Sequence, residues 1–145
     1  MLIRPATLDD AFRLIILLEQ LGYKMTLEDM EKRIKIFHEK NNYIFVAEEN
    51  EKILGVIAFG YYEKFIISAS CCHIEALVVD ENYRNQNVGK KLMQFAEEHA
   101  IQAGAKILEL ITSNRRRDKG AHRFYESLGY KDHIAIDHTY FEKRM

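Results

Sequence analysis

Apolar residues in the first part of the chain recur at helical spacing. One apolar stripe consists of Leu14, Ile15, Leu18 and Leu21. It ends at Gly22, and Thr7 with Asp10 three residues later is typical of a helix start. A second stripe, which follows Thr26 in the sequence, consists of Leu27, Met30, Ile34 and Phe37. The pattern predicts a short edge strand over residues 2–4, followed by two amphipathic helices.

The next part of the chain is rich in β-branched and aromatic residues. Three such runs cover residues 43–47, 53–62 and 71–79, and a polar turn separates the first two. Short connections of this kind join neighbouring antiparallel strands. We therefore expect an antiparallel meander.

The helical period returns after residue 87 and ends at Gly104. A buried strand over 107–111, a helix over 121–128 and two strands over 130–136 and 138–141 complete the prediction. The order β-α-α-β-β-β-α-β-α-β-β predicts an α/β (α+β mixed) fold in one domain over residues 1–145. Its mixed, mostly antiparallel sheet of about six to seven strands carries helices on both faces, about four in total.

Charge and composition argue against a nucleic-acid-binding protein and a membrane protein. The 21 Lys and Arg residues balance 22 Asp and Glu residues, so no global field favours nucleic acid or an anionic membrane. Apolar runs fall far short of the roughly 20 residues that span a bilayer. Because the sequence shows no cleavable signal at its start, we expect the protein to be cytoplasmic.

The two cysteines, Cys71 and Cys72, are adjacent, and neighbouring side chains on a strand point apart. We expect both to be reduced. His73 follows them, but three consecutive strand residues cannot converge on one ion, so no metal site is expected.

A polar segment joins the third strand of the meander to the next helix. Its residues are Arg84, Asn85, Gln86, Asn87, Val88, Gly89 and Lys90. Amides at a helix N-terminus and the helix dipole favour an anion, and Gly89 lets a pyrophosphate approach the backbone. Arg84 and Lys90 would add charge-assisted contacts. The segment is a candidate anion cradle.

Two motifs resemble the GNAT superfamily of N-acetyltransferases, in particular its small-molecule acetylating members. The first runs from Arg84 to Gly89 and resembles the family's acetyl-CoA signature: Arg or Gln, two variable residues, Gly, one variable residue, Gly or Ala. Asn87 replaces the first glycine, and asparagine tolerates left-handed backbone. The second motif runs from Ala121 through Phe124 and Tyr125 to Gly129 and resembles the family's C-terminal helix.

The resemblance implies acetyl-CoA as co-substrate, with its pantetheine arm paired to the backbone of Leu77, Val78 and Val79 and in contact with Phe124. Strand addition to an open sheet edge is the physical basis of that pairing. The family often has an asparagine seven residues before the tyrosine, where this chain has Asp118; Asn114 is the alternative. The resemblance also implies that Tyr125 is the acid that protonates the departing thiolate.

Acetyl transfer to an amine also needs a base, because an alkylamine is mostly protonated at pH 7. Strict alternation would place His73, Glu75, Leu77 and Val79 on one face of their strand. A carboxylate in an apolar strand either forms a structural ion pair or lines a wet cleft. Glu75 is the candidate base, with Glu109 or water as alternatives.

These observations favour an N-acetyltransferase that moves an acetyl group from acetyl-CoA to a primary amine of a small molecule, by direct attack in a ternary complex. One alternative is a catalytically silent domain that binds acyl-CoA as a sensor or interaction module. Another is an unrelated phosphate-binding or nucleotide-binding α/β domain, although no full P-loop or dinucleotide motif is present. Arg115, Arg116 and Arg117 form either a solvated charge run or a contact with the cofactor's 3′-phosphate or an anionic substrate. Exposed aromatic residues allow a homodimer.

Overall fold

A computed structural model describes residues 1–112, 120–131 and 141–145. Contacts divide the chain into two compact units, Met1–Ile111 and Thr112–Met145. The first unit contains β1 (Leu2–Pro5), α1 (Ala11–Gln20), α2 (Leu27–Glu39), β2 (Tyr43–Glu49), β3 (Lys52–Lys64), β4 (Ala69–Val79), α3 (Val88–Gln102) and β5 (Ile107–Leu110). The second contains α4 (Ala121–Ser127). The predicted element order is confirmed as far as α4.

The sheet of the first unit has five strands in the order β1-β2-β3-β4-β5. Neighbouring strands are antiparallel except β4 and β5, which are parallel, so the predicted mixed sheet and meander are confirmed. The two further strands predicted over 130–136 and 138–141 lie largely outside the described residues. The strand predicted over 107–111 is confirmed over Ile107–Leu110 as β5, but the prediction that it is buried is wrong: β5 is only half-buried, and Ile111 is 76% exposed.

Both predicted helix starts are confirmed by their hydrogen bonds. The Thr7 amide donates to the Asp10 carboxylate over 2.8 Å, and a short 3-10 turn over Leu8–Asp10 leads into α1. Thr26 accepts from the amide of Asp29 over 3.1 Å and caps α2. Local side chains therefore fix where the two amphipathic helices begin.

Helices cover both faces of the sheet, as predicted. Ala11, Leu14 and Leu17 of α1 are buried, and α1 and α2 form one core cluster with Val46 and Val56. Helix α3 lies on the opposite face, where Phe95 contacts Phe45 with ring centroids 4.6 Å apart. No helix among the described residues is long and apolar enough to cross a bilayer.

Strand β4 contains a β-bulge at Glu75. Ala58 of β3 pairs with Ala76, but the next β3 residue, Phe59, pairs with Ile74. Glu75 is thus an extra residue on β4. Bulges re-aim side chains and break the regular alternation of a strand.

The bulge makes one sequence prediction wrong. His73 and Leu77 were expected on the same face, but His73 lies opposite Gly60 and Leu77 lies opposite Ile57. Gly60 and Ile57 are three residues apart on β3 and point to opposite faces. His73 therefore lies on the other side of the sheet from Leu77.

Cys71 and Cys72 are both free and buried, as predicted for reduced cysteines. They pair with Tyr62 and Tyr61 of β3, respectively. Their side chains alternate across the sheet, which keeps the two sulfurs on opposite faces.

Candidate functional site

The loop before α3 has left-handed backbone at two asparagines. Asn85 has φ 68° and Asn87, the N-cap of α3, has φ 63° and ψ 15°. The sequence interpretation of Asn87 as a glycine substitute in this conformation is confirmed. The Asn87 side chain makes no capping hydrogen bond.

The backbone amides in the first turn of α3 precede the first hydrogen bond of the helix. The earliest ladder bond at this end joins the Lys91 amide to the Asn87 carbonyl over 3.0 Å. The amides of Val88, Gly89 and Lys90 therefore have no carbonyl four residues earlier within the helix. Because Asn87 does not cap them, the helix end is open to an anion.

Asp80 fixes the start of the loop. Its side chain is buried and accepts from the Asn82 amide over 2.9 Å, and it pairs with the guanidinium of Arg13 in α1. Arg13 also donates to the Ile53 carbonyl over 3.0 Å. Burial alone would raise the pKa of Asp80, but the Asn82 amide and Arg13 hold that pKa below its ordinary value.

Gly55 of β3 sets how closely α3 approaches the sheet. A Cβ at this position would lie 2.9 Å from the Val78 carbonyl oxygen, 3.1 Å from Leu92 Cδ1 and 3.2 Å from Val88 Cγ1. Only glycine fits without displacing these neighbours. The first turn of α3 is thus held tightly against β3 and β4.

The second half of β4 has an open edge among the described residues. Strand β3 pairs with β4 as far as Val79, but β5 pairs with it only as far as Ile74. Residues 75–79 thus have no β5 partner within the described pairing. The sequence prediction required such an opening beside residues 77–79.

An open cleft of about 310 Å³ lies near the bulge. It is lined by Asn42, Gly60, Tyr61, Tyr62, His73, Glu75 and Glu109. The Glu75 side chain is 56% exposed, so the carboxylate faces a wet cleft and not the apolar core. The structure thus brings Glu75 and its rival Glu109 into the same cleft.

His73 lies between the two carboxylates. Its Nδ1 is 3.2 Å from Glu109 Oε1, and its Nε2 is 3.6 Å from Glu75 Oε1. The Tyr62 hydroxyl donates to Glu109, and Lys64 Nζ lies 3.7 Å from the other carboxylate oxygen. Burial would raise the pKa of Glu109, but these three partners hold that pKa below its ordinary value.

The sequence analysis considered His73 as a metal ligand, rejected that role and assigned it no other, so it missed the place of His73 in the cleft. Among the described residues, no group of three or more His, Cys, Asp and Glu side chains could hold a metal ion. The available signal was the spacing of His73 and Glu75, two residues apart on a strand. The partnership with Glu109 depends on the register of β4 and β5, which the sequence does not reveal.

Tyr61, which lines the cleft, belongs to a network of uncharged polar side chains. The Tyr61 hydroxyl lies 2.6 Å from His99 Nδ1 of α3. Burial raises the pKa of Tyr61, lowers that of His99 and raises that of the Cys72 thiol to about 11. All three groups are therefore neutral at pH 7.

Tyr125, the predicted acid, is half-buried in the second unit. Its ring packs edge-on against Phe124, with centroids 5.1 Å apart, and its carbonyl accepts from the Tyr130 amide over 3.1 Å. Asn114, Asp118 and the arginines at 115–117 lie outside the described residues.

Comparison with known proteins yields one family and several relatives. The sequence model of the Acetyltransferase (GNAT) family matches residues 11–130. An aminoalkylphosphonate N-acetyltransferase of Salmonella typhimurium is 40% identical over 86 residues, which are 59% of this chain and 54% of that protein. The chain thus matches about half the length of this relative.

Solved structures show the same fold. Glucosamine-6-phosphate N-acetyltransferase from Arabidopsis thaliana superposes with a TM-score of 0.77 at 26% identity, over 97% of this chain and 98% of that one. A GNAT family acetyltransferase from Staphylococcus aureus gives 0.78 at 22% identity, over 99% and 98%. At that identity the second likeness bears on the fold alone.

Proposed function

We propose that this chain, which belongs to the acetyltransferase (GNAT) family, transfers the acetyl group of acetyl-CoA to a primary amine of a small molecule. The reaction would be direct attack by the amine in a ternary complex. The observation that carries this proposal is the uncapped first turn of α3 beside the open edge of β4. The first suits a pyrophosphate and the second suits a pantetheine arm.

The residues present fit this cofactor. The amides of Val88, Gly89 and Lys90 would hold the pyrophosphate, and the α3 dipole favours its charge. Arg84 and Lys90 are exposed and would supply charge-assisted contacts. Residues 77–79 would pair with the pantetheine amides through their backbone. Phe124, with Asn114 or Asp118, remains a proposed contact from the family resemblance alone.

Acetyl-CoA supplies an activated acyl group and a thiolate leaving group. Glu75 is the proposed base, because its exposed carboxylate faces the cleft and would receive the ammonium of the acceptor. Tyr125 is the proposed acid, a role carried over from the motif of α4. A neutral amine must form before attack, so the base controls the rate at neutral pH.

The acceptor class follows from the named relative. The Salmonella enzyme is an aminoalkylphosphonate N-acetyltransferase, and we propose small aminoalkyl compounds, with or without an acidic group, as acceptors here. Glu75 and Glu109 in the cleft favour the ammonium end of such a molecule. A panel of spermidine, aminoalkylphosphonates and amino sugars would represent acceptors with and without an acidic group.

Two measurements test the proposal in sequence. Acetyl-CoA at 100 times its Kd should raise the free energy of unfolding by about 2.7 kcal/mol, seen as a thermal shift that ATP does not produce. Release of free thiol on the amine panel then detects transfer. Binding without transfer would favour a silent acyl-CoA sensor, and no thermal shift with acetyl-CoA would exclude both functions.

The Tyr125 role has its own test. Tyr125→Phe keeps the ring contacts with Phe124 and removes only the hydroxyl. We expect turnover to fall about 100-fold with little change in the Kd of acetyl-CoA, because a lost general acid affects the reaction and not binding. An unchanged turnover number would remove Tyr125 from the mechanism.

A further inference from the structure

His73 lies between two carboxylates, which is more than a residue that merely lines the cleft would need. Its ring is flanked by Glu109 of β5 on one nitrogen and by Glu75 of β4 on the other. The side chain is 24% exposed, so the ring is partly accessible to solvent. Nothing in the proposed roles of Glu75 and Tyr125 accounts for this arrangement.

The geometry fixes which ring nitrogen carries the proton in neutral His73. Glu109 is ionised at neutral pH and a carboxylate only accepts hydrogen bonds, so Nδ1 must donate to it over 3.2 Å. Nε2 is then the free lone pair, on the side of Glu75. An imidazole held in one tautomer by a carboxylate is oriented to accept a proton at its other nitrogen.

Titratable and charged groups from three strands surround the ring. Glu75 and Cys71 face it from β4, Tyr62 and Lys64 from β3, and Glu109 from β5. Burial raises the pKa of Cys71, and hydrogen bonding to Glu109 raises that of Tyr62, so neither adds charge at pH 7. The positive charge of Lys64 offsets part of the negative charge of Glu109. Glu75 is the second carboxylate beside the ring.

We propose that His73 is the proton acceptor of the reaction, that Glu109 positions it, and that Glu75 binds the ammonium group of the acceptor and passes its proton to His73 Nε2. This inference rests on the proposed acetyl transfer and refines its base. A carboxylate takes up protons only in acid, whereas an imidazole does so near neutral pH, where the reaction must run.

The protons balance in two steps. The acceptor ammonium gives one proton through Glu75 to His73 Nε2 and becomes a neutral amine. The amine nitrogen then forms a bond to the acetyl carbon, the carbon–sulfur bond breaks, the proposed acid Tyr125 protonates the thiolate, and the second amine proton restores the Tyr125 hydroxyl. His73 releases the first proton to solvent through the open cleft.

The tautomer is the first test, and the wild-type protein answers it without any substitution. Nitrogen-15 NMR of the histidine rings at alkaline pH should show His73 with its proton on Nδ1. Glu109→Ala should return it to the Nε2-protonated form that free histidine prefers, while Glu75→Gln should not, because the contact that holds the proton on Nδ1 is made by Glu109. A wild-type proton on Nε2 would overturn the inference.

The pH profile is the second test. His73→Gln should lower kcat/KM at pH 7 about 100-fold and abolish the acid limb of the profile between roughly pH 5 and 8, with the Kd of acetyl-CoA unchanged. Glu109→Ala should also lower kcat/KM at pH 7, because the ring is no longer held in the tautomer that leaves Nε2 free. His38→Gln, at an exposed histidine in the last turn of α2, is the matched control and should change neither.

The outcomes separate this inference from the proposed function. If the wild type acetylates an amine and His73→Gln retains its rate and its acid limb, acetyl transfer stands and the His73 role is wrong. If the wild type acetylates no amine in the panel, the proposed function fails and His73 has no such role.

Discussion

The anion cradle at residues 84–90 and the cleft at the β4 bulge are built from different parts of the chain. The cradle consists of backbone amides and left-handed turns within one contiguous segment, and most of its side chains are exposed. The cleft consists of side chains from β3, β4 and β5, which approach one another only through strand register. A backbone site tolerates side-chain replacement as long as its dihedral angles persist, whereas a side-chain site does not.

The largest expected effect is on the cleft. Glu75→Gln removes the carboxylate that faces the acceptor, and we expect kcat/KM to fall about 100- to 1,000-fold with the Kd of acetyl-CoA unchanged. Glu63→Gln, at an exposed carboxylate on β3, is the matched control and should leave both values within twofold. A weakened Kd in Glu75→Gln would mean that the two regions are not separate.

Asp80 should carry the next largest effect, on stability. Asp80→Asn leaves the Arg13 charge without its carboxylate partner, and we expect the free energy of unfolding at pH 7 to fall by about 2 to 3 kcal/mol in urea titrations. Because the pKa of Asp80 is lowered in the folded state, its contribution is full above about pH 4 and is lost as the pH falls further.

The difference between wild type and Asp80→Asn should therefore shrink below about pH 4. Glu28→Gln in the exposed Glu28–Lys32 pair is the control, with an expected loss below about 0.5 kcal/mol. A difference that stays constant down to pH 2 would contradict the role of the ionised Asp80.

Gly89→Leu should change binding and stability in opposite directions. Leucine favours helix over glycine by somewhat under about 1 kcal/mol, so the free energy of unfolding should rise by up to that amount. The added side chain would block the approach of the pyrophosphate, and the Kd of acetyl-CoA should weaken at least tenfold by calorimetry. Equal or tighter binding in this variant would argue against a backbone cradle.

The smallest expected effect is at Asn87. Asn87→Ala places a residue that disfavours left-handed backbone at φ 63° and should cost about 1 kcal/mol of unfolding free energy. Asn87→Gly should stay within a few tenths of a kcal/mol and keep the Kd of acetyl-CoA, because glycine adopts this conformation freely. Matching losses in both variants would mean that the Asn87 side chain, and not its backbone, is what matters.

The same contrast explains what the sequence could predict. Helix starts at Thr7 and Thr26, the left-handed Asn87 and the N-terminus of α3 all depend on neighbours a few residues away. Such local chemistry can be read from the order of residues. The fold class followed from these elements and their apolar periods.

The cleft could not be predicted in the same way. The bulge at Glu75 depends on how Phe59 pairs with Ile74, and the His73–Glu109 contact joins residues 36 apart through a parallel pairing. Strict alternation put His73 on the wrong side of the sheet relative to Leu77. Register between strands is a property of the packed sheet, so it escapes a reading by spacing alone.

The central claim is that the first turn of α3 binds acetyl-CoA through its backbone. Titration of the nitrogen-15-labelled protein with acetyl-CoA, followed by amide NMR, tests it residue by residue. We expect the largest shifts at the amides of Val88, Gly89 and Lys90, with a second group at residues 77–79 on β4. Saturable binding that leaves the amides at the start of α3 unshifted would contradict the account.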